Sequence, residues 1–320
     1  MIVPADGEPV LICSRLELEQ AKRESSIRDI RAFSGWKVPL QRGERVCFLK
    51  PWQLITECLK KFEAHAVGFD NLGFETLRKI RGAHDASYRE SPELVLNLRK
   101  VKSGQELSWL KHSAKIAVKG MRCAAELVEA GRTELEIAAE VEYTMRLAGS
   151  DGTPFDTIVA SGRNSWLPHA TATRKKLRGG ELVVVDLGAK YNGYASDMTR
   201  TFALDPSRKQ LKLMELIRKA QQFAIGKVMN GAKAHAIDRT ARRIVSSAGY
   251  AKFYLHGTGH GVGLDIHEPP SLTPESKDIL RRGMVVTVEP GLYLPQVGGA
   301  RWEDMLEVTT KGHKLLTHEK

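Results

Sequence analysis

The sequence lacks the features of membrane and secreted proteins. No stretch approaches the roughly 18 consecutive apolar residues that a membrane-spanning helix requires. Asp6 and Glu8 interrupt the N-terminal segment, where a secretion signal would be apolar. The four cysteines are widely spaced and form no CxxC pair, which is typical of reduced core thiols and excludes a disulfide framework. We therefore expect a cytoplasmic protein.

The composition is that of a globular protein large enough for two domains, with 320 residues of which 42% are hydrophobic and 27% charged. Lys and Arg exceed Asp and Glu by 49 to 38, an excess that can indicate nucleic-acid binding. Here the basic residues are scattered along stretches that also carry acids, and the densest cluster, RKKLR at 174–178, is predicted to be a short loop. We expect neither a nucleic-acid partner nor a membrane partner.

A domain boundary is predicted between residues 84 and 103. Before it, short apolar runs such as PVLICS and AVGFD alternate with amphipathic stretches, a rhythm that predicts a small α/β domain over residues 1–95. No internal repeat is apparent. Residues 96–320 have a different pattern and are expected to form a second domain.

The second domain is predicted to begin with two helices and to continue mainly as strands. One helix runs from about Ser103 to Glu129 and the next from Thr133 to Gly149, because each starts with Ser or Thr followed three residues later by Glu, the spacing of a capping box. Beyond residue 150 short apolar runs and turn residues predict strands. Two further helices are expected at about 207–230 and 235–248.

The segment ELVVVDLGAKYNGYASDMTRTF contains Asn192-Gly193, a strong signal for a type I′ hairpin turn. A two-residue loop there pairs Asp186 with Thr199 and puts Asp197 diagonally across the ladder from Asp186 on the same face. A loop two residues longer would put the two aspartates directly opposite. Because two like charges on one face repel each other, the pair favours a bound metal ion. Either aspartate alone would be explained more simply as a turn or edge residue.

The segment HGTGHGVGLDIHEPP, residues 256–270, is rich in Gly and His. His256 and His260 lie four residues apart, but the Gly and Thr residues between them make a poor helix, so a strand or loop is predicted and a helical HExxH zinc site is not. The glycines let the backbone pass close to a bound group, and His260 could supply an imidazole to a metal. A Gly-rich loop could also cradle a phosphate, although the pattern fits neither a P-loop nor a dinucleotide fingerprint.

Two further carboxylates, Glu289 in MVVTVEPG and Glu303 in ARWEDMLEV, lie in apolar strands. A strand buried on both faces gives such a residue no solvent, so each requires a partner. Four carboxylates and one imidazole form an oxygen-rich set suited to two hard or borderline divalent ions. The set is Asp186, Asp197, His260, Glu289 and Glu303.

Four ordered segments resemble the signature segments of the aminopeptidase P and prolidase family of dinuclear metallopeptidases: VVDLGAKYNGYASDMTRTF, HGTGHGVGLDIHEPP, VEPGLYLP and RWEDM. The similarity covers essentially the whole chain, because residues 1–95 resemble the creatinase-type N-terminal domain, shortened at its start. The resemblance implies an α+β fold, with a pita-bread catalytic domain over residues 96–320 and a smaller α/β domain before it. It also implies a homodimer.

The resemblance implies that the five residues of this set are the metal ligands, with Asp197 and Glu303 bridging two divalent ions. Manganese or cobalt is the expected metal, with iron or zinc as alternatives. The implied reaction is hydrolysis of the peptide bond between an N-terminal residue and proline by a metal-activated water. Short peptides with proline at the second position are the expected partners.

The resemblance also assigns roles to the remaining site residues. Glu289 would move the proton of the attacking water. His169 in NSWLPHA and His267 would contact the substrate carbonyl and the developing tetrahedral charge. His256 and Arg301 would bind substrate in the pocket.

Two departures and two alternatives accompany this reading. Trp302 stands where relatives usually have a smaller aliphatic residue. Ser271 follows HEPP where some dipeptidase-type relatives have an arginine that can hold the proline carboxylate, which favours substrates longer than dipeptides.

Methionine aminopeptidase shares the fold, but GLDIHEPP and the N-terminal region favour proline specificity. A non-catalytic binding module is supported only by the basic charge, and five retained ligands argue against both it and a creatinase reading.

Overall fold

The structure is a computed structural model that describes residues 1–37 and 39–318. The chain forms two compact units, residues 1–95 and the residues from 96 onward, which are described separately. Within the described ranges, no helix is both long enough and apolar enough to cross a bilayer.

The N-terminal unit alternates strands and helices, as its apolar pattern predicts. Its elements are β1 (Val10–Ser14), α1 (Leu18–Glu24), β2 (Asp29–Phe33), β3 (Val46–Cys47), α2 (Pro51–Lys61), β4 (Ala66–Phe69), α3 (Phe74–Ala83) and β5 (Ser87–Glu90). Strands β1, β2 and β3 form one parallel sheet, and β4 pairs with β5 in another. In β1-α1-β2 and β4-α3-β5 the helix returns the chain to the same end, which lets the paired strands run parallel.

The cysteines are free thiols, but the prediction that all four are core residues is wrong for three of them. Cys58 on α2 is buried, whereas Cys13 and Cys47 are half-buried because their strands β1 and β3 are themselves only partly covered. Cys123 is also half-buried, and its Sγ accepts a hydrogen bond from Thr144 Oγ1 at 3.3 Å.

The second unit begins within α4 (Pro92–Lys100), and its later helices form two pairs. They are α5 (Gly104–Leu127), α6 (Glu134–Leu147), α7 (Arg208–Ile225) and α8 (Ala234–Ser247). Both predicted capping boxes are confirmed, Ser103 with Glu106 on α5 and Thr133 with Glu136 on α6. Helix α7 ends before the predicted residue 230, because tight turns follow it.

The strands of the second unit build antiparallel sheets and hairpins. They are β6 (Ile158–Ser161), β7 (Glu181–Leu187), β8 (Lys190–Tyr191), β9 (Tyr194–Ala195), β10 (Met198–Leu204), β11 (Gly259–Gly261), β12 (Glu268–Leu272), β13 (Val285–Val288), β14 (Gly291–Leu294), β15 (Gly298–Arg301), β16 (Asp304–Thr309) and β17 (Gly312–Leu315). One sheet has the order β10-β7-β6 and the other β12-β11-β13-β16-β17, while β8-β9 and β14-β15 are hairpins. Separate helix pairs and antiparallel sheets make this an α+β arrangement.

Each sheet packs against one helix pair through its own apolar core. One core joins α5 and α6 to β7 and β10, with Ile137 and Val185 fully buried in it. The other joins α7 and α8 to the five-stranded sheet, with Ile217 and Val286 fully buried. Burial of these side chains stabilises each half by about 1.5 to 3 kcal/mol per large aliphatic residue. The strand ends are thereby held on rigid supports.

The hairpin register predicted from Asn192-Gly193 is confirmed. Asn192 and Gly193 have φ values of 49° and 78°, the positive values of a type I′ turn. Asp186 stands opposite Thr199, as a two-residue loop requires. Asp197, just before β10, therefore lies diagonally across from Asp186 rather than directly opposite it.

Hydrogen bonds join β10 to the last residue of β15 and to the residue before β16. Glu303 N donates to Thr199 O at 3.1 Å, and Arg301 N donates to Thr201 Oγ1 at 3.0 Å. Thr201 Oγ1 also donates to Arg301 O at 2.9 Å. These bonds bring Arg301 and Glu303 next to the aspartates of the first sheet.

Candidate metal centre and active-site cavity

The site residues predicted from the sequence line one cavity of about 450 Å³ in the C-terminal unit. A concave site of this size with converging polar groups is the usual form of a small-ligand site. The predicted residues that line it are Asp186, Asp197, His260, Glu289, Glu303, His169, His256, His267 and Arg301. The structure thus brings together every predicted site residue.

Strand ends deliver the carboxylates to this cavity. Asp186 follows the buried valines of β7, and Glu289 is the first residue beyond β13, whose four residues are all buried. Asp197 and Glu303 stand immediately before β10 and β16. Because the strands are anchored in the two apolar cores, the side chains at their ends have little freedom to move apart.

The glycines of the HGTGH segment are required by close backbone packing. A Cβ at Gly259 would lie 2.1 Å from Thr287 O, and one at Gly261 would lie 2.4 Å from Pro269 O. The segment runs as strand β11 between β12 and β13, which confirms the prediction of a strand or loop. The glycines are therefore required because the neighbouring strands leave no room for side chains. The acidic residues of the cavity would repel a phosphate, so the phosphate-binding alternative gains no support.

His260 presents one nitrogen to two carboxylates. Its Nε2 lies 3.5 Å from Asp197 Oδ2 and 3.4 Å from Glu289 Oε1. Its Nδ1 lies 3.1 Å from Gly261 O, a contact that places the imidazole proton on Nδ1. Burial, and then the charge of His267, lower the pKa of His260 to about 4, so the ring is neutral near pH 7. A lone pair on Nε2 therefore faces the carboxyl oxygens of Asp197 and Glu289.

Two buried carboxylate oxygens of the cavity have no hydrogen-bond partner, Asp186 Oδ1 and Glu303 Oε1. Their companion oxygens are occupied, since Arg301 Nη2 donates to Asp186 Oδ2 at 2.6 Å and Thr199 Oγ1 donates to Glu303 Oε2 at 2.7 Å. Unpaired buried carboxylate oxygens are costly unless a cation contacts them.

The donor set therefore fits a divalent metal. Asp197, His260 and Glu303 each offer a ligand atom, and these atoms lie within 4.8 Å of one another. Carboxylate oxygens with one imidazole suit divalent ions of hard or borderline character.

The clustered carboxyl groups hold their protons unusually tightly. Burial raises the pKa of Asp197 well above its ordinary value, and Glu303, Asp186 and Glu289 add to the effect. Burial likewise raises the pKa of Glu303, and it raises that of Glu289 to about 8. A metal that binds here must displace these protons.

Arg301 connects an aspartate of the cavity to His256 through Tyr293. Its Nη1 donates to the Tyr293 hydroxyl at 2.7 Å, while its Nη2 holds Asp186. His256 Nδ1 lies 2.7 Å from Gly257 O, so its Nε2 accepts from the Tyr293 hydroxyl at 2.9 Å. Burial, and then the charge of Arg301, lower the pKa of His256 to about 4. The guanidinium of Arg301 is thus occupied by protein acceptors.

Tyr293 is the residue of this chain of contacts that the sequence reasoning missed. It lies in the buried strand β14 within the segment VEPGLYLP. A tyrosine in a fully buried strand needs a hydrogen-bond partner for its hydroxyl, and that requirement was a signal for a polar neighbour.

His169 and His267 are exposed at the edge of the cavity. The His267 ring meets the His260 ring edge-on with centroids 4.3 Å apart, so the turn after His260 brings His267 back over the site as predicted. Burial, and then the charge of His169, lower the pKa of His267. Both rings can approach a molecule bound in the cavity.

Comparison with known proteins gives consistent matches. Residues 108–310 match the family Metallopeptidase family M24. The chain is 36% identical over 319 residues to an Xaa-Pro dipeptidase of Pyrococcus furiosus, covering 99% of this chain and 86% of that protein. The structure of the prolidase from Pyrococcus horikoshii superposes with a TM-score of 0.88 at 34% identity, covering 98% of this chain and 86% of the other. The X-Pro aminopeptidase from Thermotoga maritima gives 0.86 at 29% identity, covering 98% and 87%.

The raised pKa of Glu289 predicts how Glu289→Gln affects stability in the presence of chelator. A carboxyl group whose folded-state pKa is raised stabilises the fold while protonated, and that contribution is lost as pH rises from the unfolded value of 4.5 toward about 8. A glutamine does not ionise, so the variant loses no stability over this pH range. We expect Glu289→Gln to be more stable than wild type by about 1 to 2 kcal/mol at pH 8.5, with a smaller difference at pH 6. Denaturant unfolding at both pH values measures this, and a difference independent of pH would contradict it.

Proposed function

The chain belongs to metallopeptidase family M24 and has the pita-bread fold, and from that premise we propose that it hydrolyses the bond between an N-terminal residue and a proline that follows it. The observation that carries the proposal is the cavity in which unpaired carboxylate oxygens and the free nitrogen of His260 converge beside two exposed histidines. Relatives named as an Xaa-Pro dipeptidase and an X-Pro aminopeptidase support the proline specificity. We assign catalysis to residues 96–320, which contain the whole cavity.

We assign the metal ligands to the strand-end carboxylates and the imidazole of the cavity. They are Asp186, Asp197, His260, Glu289 and Glu303. Divalent ions held there supply Lewis acidity toward the scissile carbonyl and lower the pKa of a water molecule. Four carboxylates would favour two ions, and Asp197 and Glu303 are the residues that we assign as ligands to both. Manganese or cobalt as the native ion, and a homodimer, stay predictions.

The protein's own groups handle the proton and the carbonyl oxygen. Glu289 takes a proton from the attacking water and delivers it to the proline nitrogen that leaves, a transfer suited to a carboxylate within hydrogen-bond reach of both. His267, held neutral by its lowered pKa, donates one N–H to the carbonyl oxygen as negative charge develops there. We assign the second donor position to His169. We assign substrate contact to His256, which lines the cavity and is held by Tyr293.

The charges around the cavity favour substrates longer than a dipeptide. Arg301 is the one lysine or arginine among the described residues that line the cavity, and its guanidinium is bound to Asp186 and Tyr293. Ser271, exposed on β12, offers no charge. A dipeptide would bring its C-terminal carboxylate near the acidic groups, whereas a longer peptide carries that charge out of the cavity.

We expect metal-dependent release of the N-terminal residue from Ala-Pro-Ala, with a higher kcat/KM than for Ala-Pro. The test is product analysis on both peptides with metal-free protein, before and after addition of Mn²⁺ or Co²⁺. Because no serine or cysteine is among the described residues that line the cavity, turnover should vanish in chelator and return with the ion. Full turnover with metal content verified as nil would refute the mechanism. Preference for Ala-Pro would refute the length assignment, and release of methionine from peptides without proline would favour the methionine aminopeptidase alternative.

Asp197→Asn and Glu303→Gln should each reduce bound metal and lower kcat by at least about 100-fold. Mutation of a residue that only hydrogen-bonds to a metal ligand costs up to about 100-fold, and loss of a ligand itself should cost no less. Cys123→Ser and Glu136→Gln serve as controls, since Cys123 lies on α5 against Thr144 and Glu136 is an exposed capping residue of α6. Metal analysis and kinetics on the four variants decide the question. Unchanged stoichiometry in both site variants would refute the bridging assignment.

His267→Ala should keep its metal and its fold while kcat falls by about 10²- to 10³-fold, the effect of losing one oxyanion donor. The reason is that His267 contacts the His260 ring from the open side of the cavity and is not among the assigned ligands. Metal content, unfolding temperature and steady-state kinetics are the measurements. Loss of metal together with activity would show that His267 supports the ligands instead.

A further inference from the structure

A buried carboxylate outside the cavity forms hydrogen bonds with both ends of the loop that carries His169. We call residues 162–172 the His169 loop. Glu134, the first residue of α6, has 0% exposure. Its Oε1 accepts from Ser161 N and Ser161 Oγ, both at 2.7 Å, and its Oε2 accepts from Thr173 N at 3.1 Å and Thr173 Oγ1 at 2.6 Å. Asn164 Nδ2 reaches both oxygens, at 3.1 and 3.0 Å.

The helix itself does not require this arrangement. The N-terminus of α6 is already capped by Thr133 and Glu136, and a glutamate in the first helical turn is ordinarily favourable while exposed to water. Burying a carboxylate is costly unless its oxygens are fully hydrogen-bonded. The oxygens of Glu134 are fully hydrogen-bonded only because Ser161 and Thr173, on either side of the His169 loop, direct their N–H and hydroxyl groups toward them.

The His169 loop has few other means of support. Apart from a single 3-10 turn it has no regular structure, and its large apolar residues Trp166 and Leu167 are 40% and 51% exposed. Its further anchors are also polar, since Gly299 N donates to Ser165 Oγ at 2.9 Å and Arg301 Nη1 donates to Pro168 O at 3.2 Å. Its buried apolar contacts are small, because Ala170 packs with Ile158 and Ala160, and Ala172 packs against the core of α5 and α6. The hydrogen bonds are therefore the main constraint on the position of the loop.

We propose that Glu134 is a positioning residue for the reaction: it fixes both ends of the His169 loop and thereby holds His169 against the cavity. This inference rests on the proposed function of the cavity, in which His169 donates to the substrate carbonyl. Glu134 acts on the reaction through His169 and not through the metal ligands. A displacement of about 1 Å in such a group can lower the rate by about 100-fold.

The first test is Glu134→Gln with Glu136→Gln as the matched control on the same helical turn. An amide replaces one acceptor oxygen by an NH₂ group, which leaves the backbone N–H of Ser161 or Thr173 without an acceptor, although the neighbouring hydroxyl can rotate to accept from the amide. We expect faster hydrogen–deuterium exchange in peptides that cover residues 161–173, with bound metal unchanged. In Glu136→Gln the exchange of this segment should match wild type. Unchanged exchange in Glu134→Gln would overturn the proposal.

The second test asks whether Glu134 acts through His169. We expect Glu134→Gln to lower kcat/KM on the Xaa-Pro peptide by about 10- to 100-fold in the wild-type background. In a His169→Ala background the same change should lower it by less than about twofold, because the group that it positions is gone. Equal losses in both backgrounds would mean a general structural role and would overturn the proposal.

A milder variant covers the case in which Glu134→Gln does not fold. Thr173→Val removes the shortest hydroxyl donor to Glu134 and keeps the side-chain shape. It should give a smaller loss of kcat/KM that likewise disappears in the His169→Ala background. If the wild-type protein hydrolyses no Xaa-Pro peptide, the proposed function has failed, and the exchange measurements alone decide whether Glu134 holds the loop.

Discussion

The clustering of four acidic side chains in one buried cavity is the constraint on which the rest of the C-terminal unit depends. Asp186, Asp197, Glu289 and Glu303 converge where little water reaches them, and Arg301 neutralises Asp186 through one oxygen only. Mutual repulsion and burial would drive such side chains outward if their backbone could yield. It does not yield, because each carboxylate stands at the end of a strand fixed by an apolar core. The rigidity of the two cores is therefore what makes an acidic cavity possible.

Close packing of the backbone is a second constraint on the positions of the site residues. Strand β11 passes so near to its neighbours that Gly259 and Gly261 have no room for a Cβ, and this closeness brings His260 within 3.5 Å of Asp197. The hydrogen bonds of Thr199 and Thr201 to the chain before β16 hold Glu303 against the other sheet. Polar contacts between the two sheets thus set the distances between ligands, while apolar contacts within each half resist their separation.

The parts of this site that could be predicted from the sequence are those with a local cause. The type I′ turn at Asn192-Gly193 fixes a register, so the diagonal relation of Asp186 and Asp197 followed from counting residues. Glu289 was recognised because a charged residue directly after a fully buried strand has few explanations. Contacts between distant segments left no such trace: Arg301 meets Asp186 across 115 positions, and Glu134 meets Thr173 across 39. The core assignment of the cysteines failed for a related reason, since burial depends on what covers a strand and not on the strand alone.

Burial raises the pKa of carboxyl groups in the cavity and lowers the pKa of its buried imidazoles, and this difference favours the binding of a cation. The pKa of Glu289 rises to about 8, whereas those of His256 and His260 fall to about 4. Near neutral pH the protons of the cavity therefore sit on carboxyl groups and not on the rings. A divalent ion finds the lone pair of His260 already free and has only carboxyl protons to displace. The His260 ring stays unprotonated well below the pH at which Glu289 ionises. Competition between metal and proton is therefore decided by the carboxyl groups, and His260 remains a neutral ligand throughout.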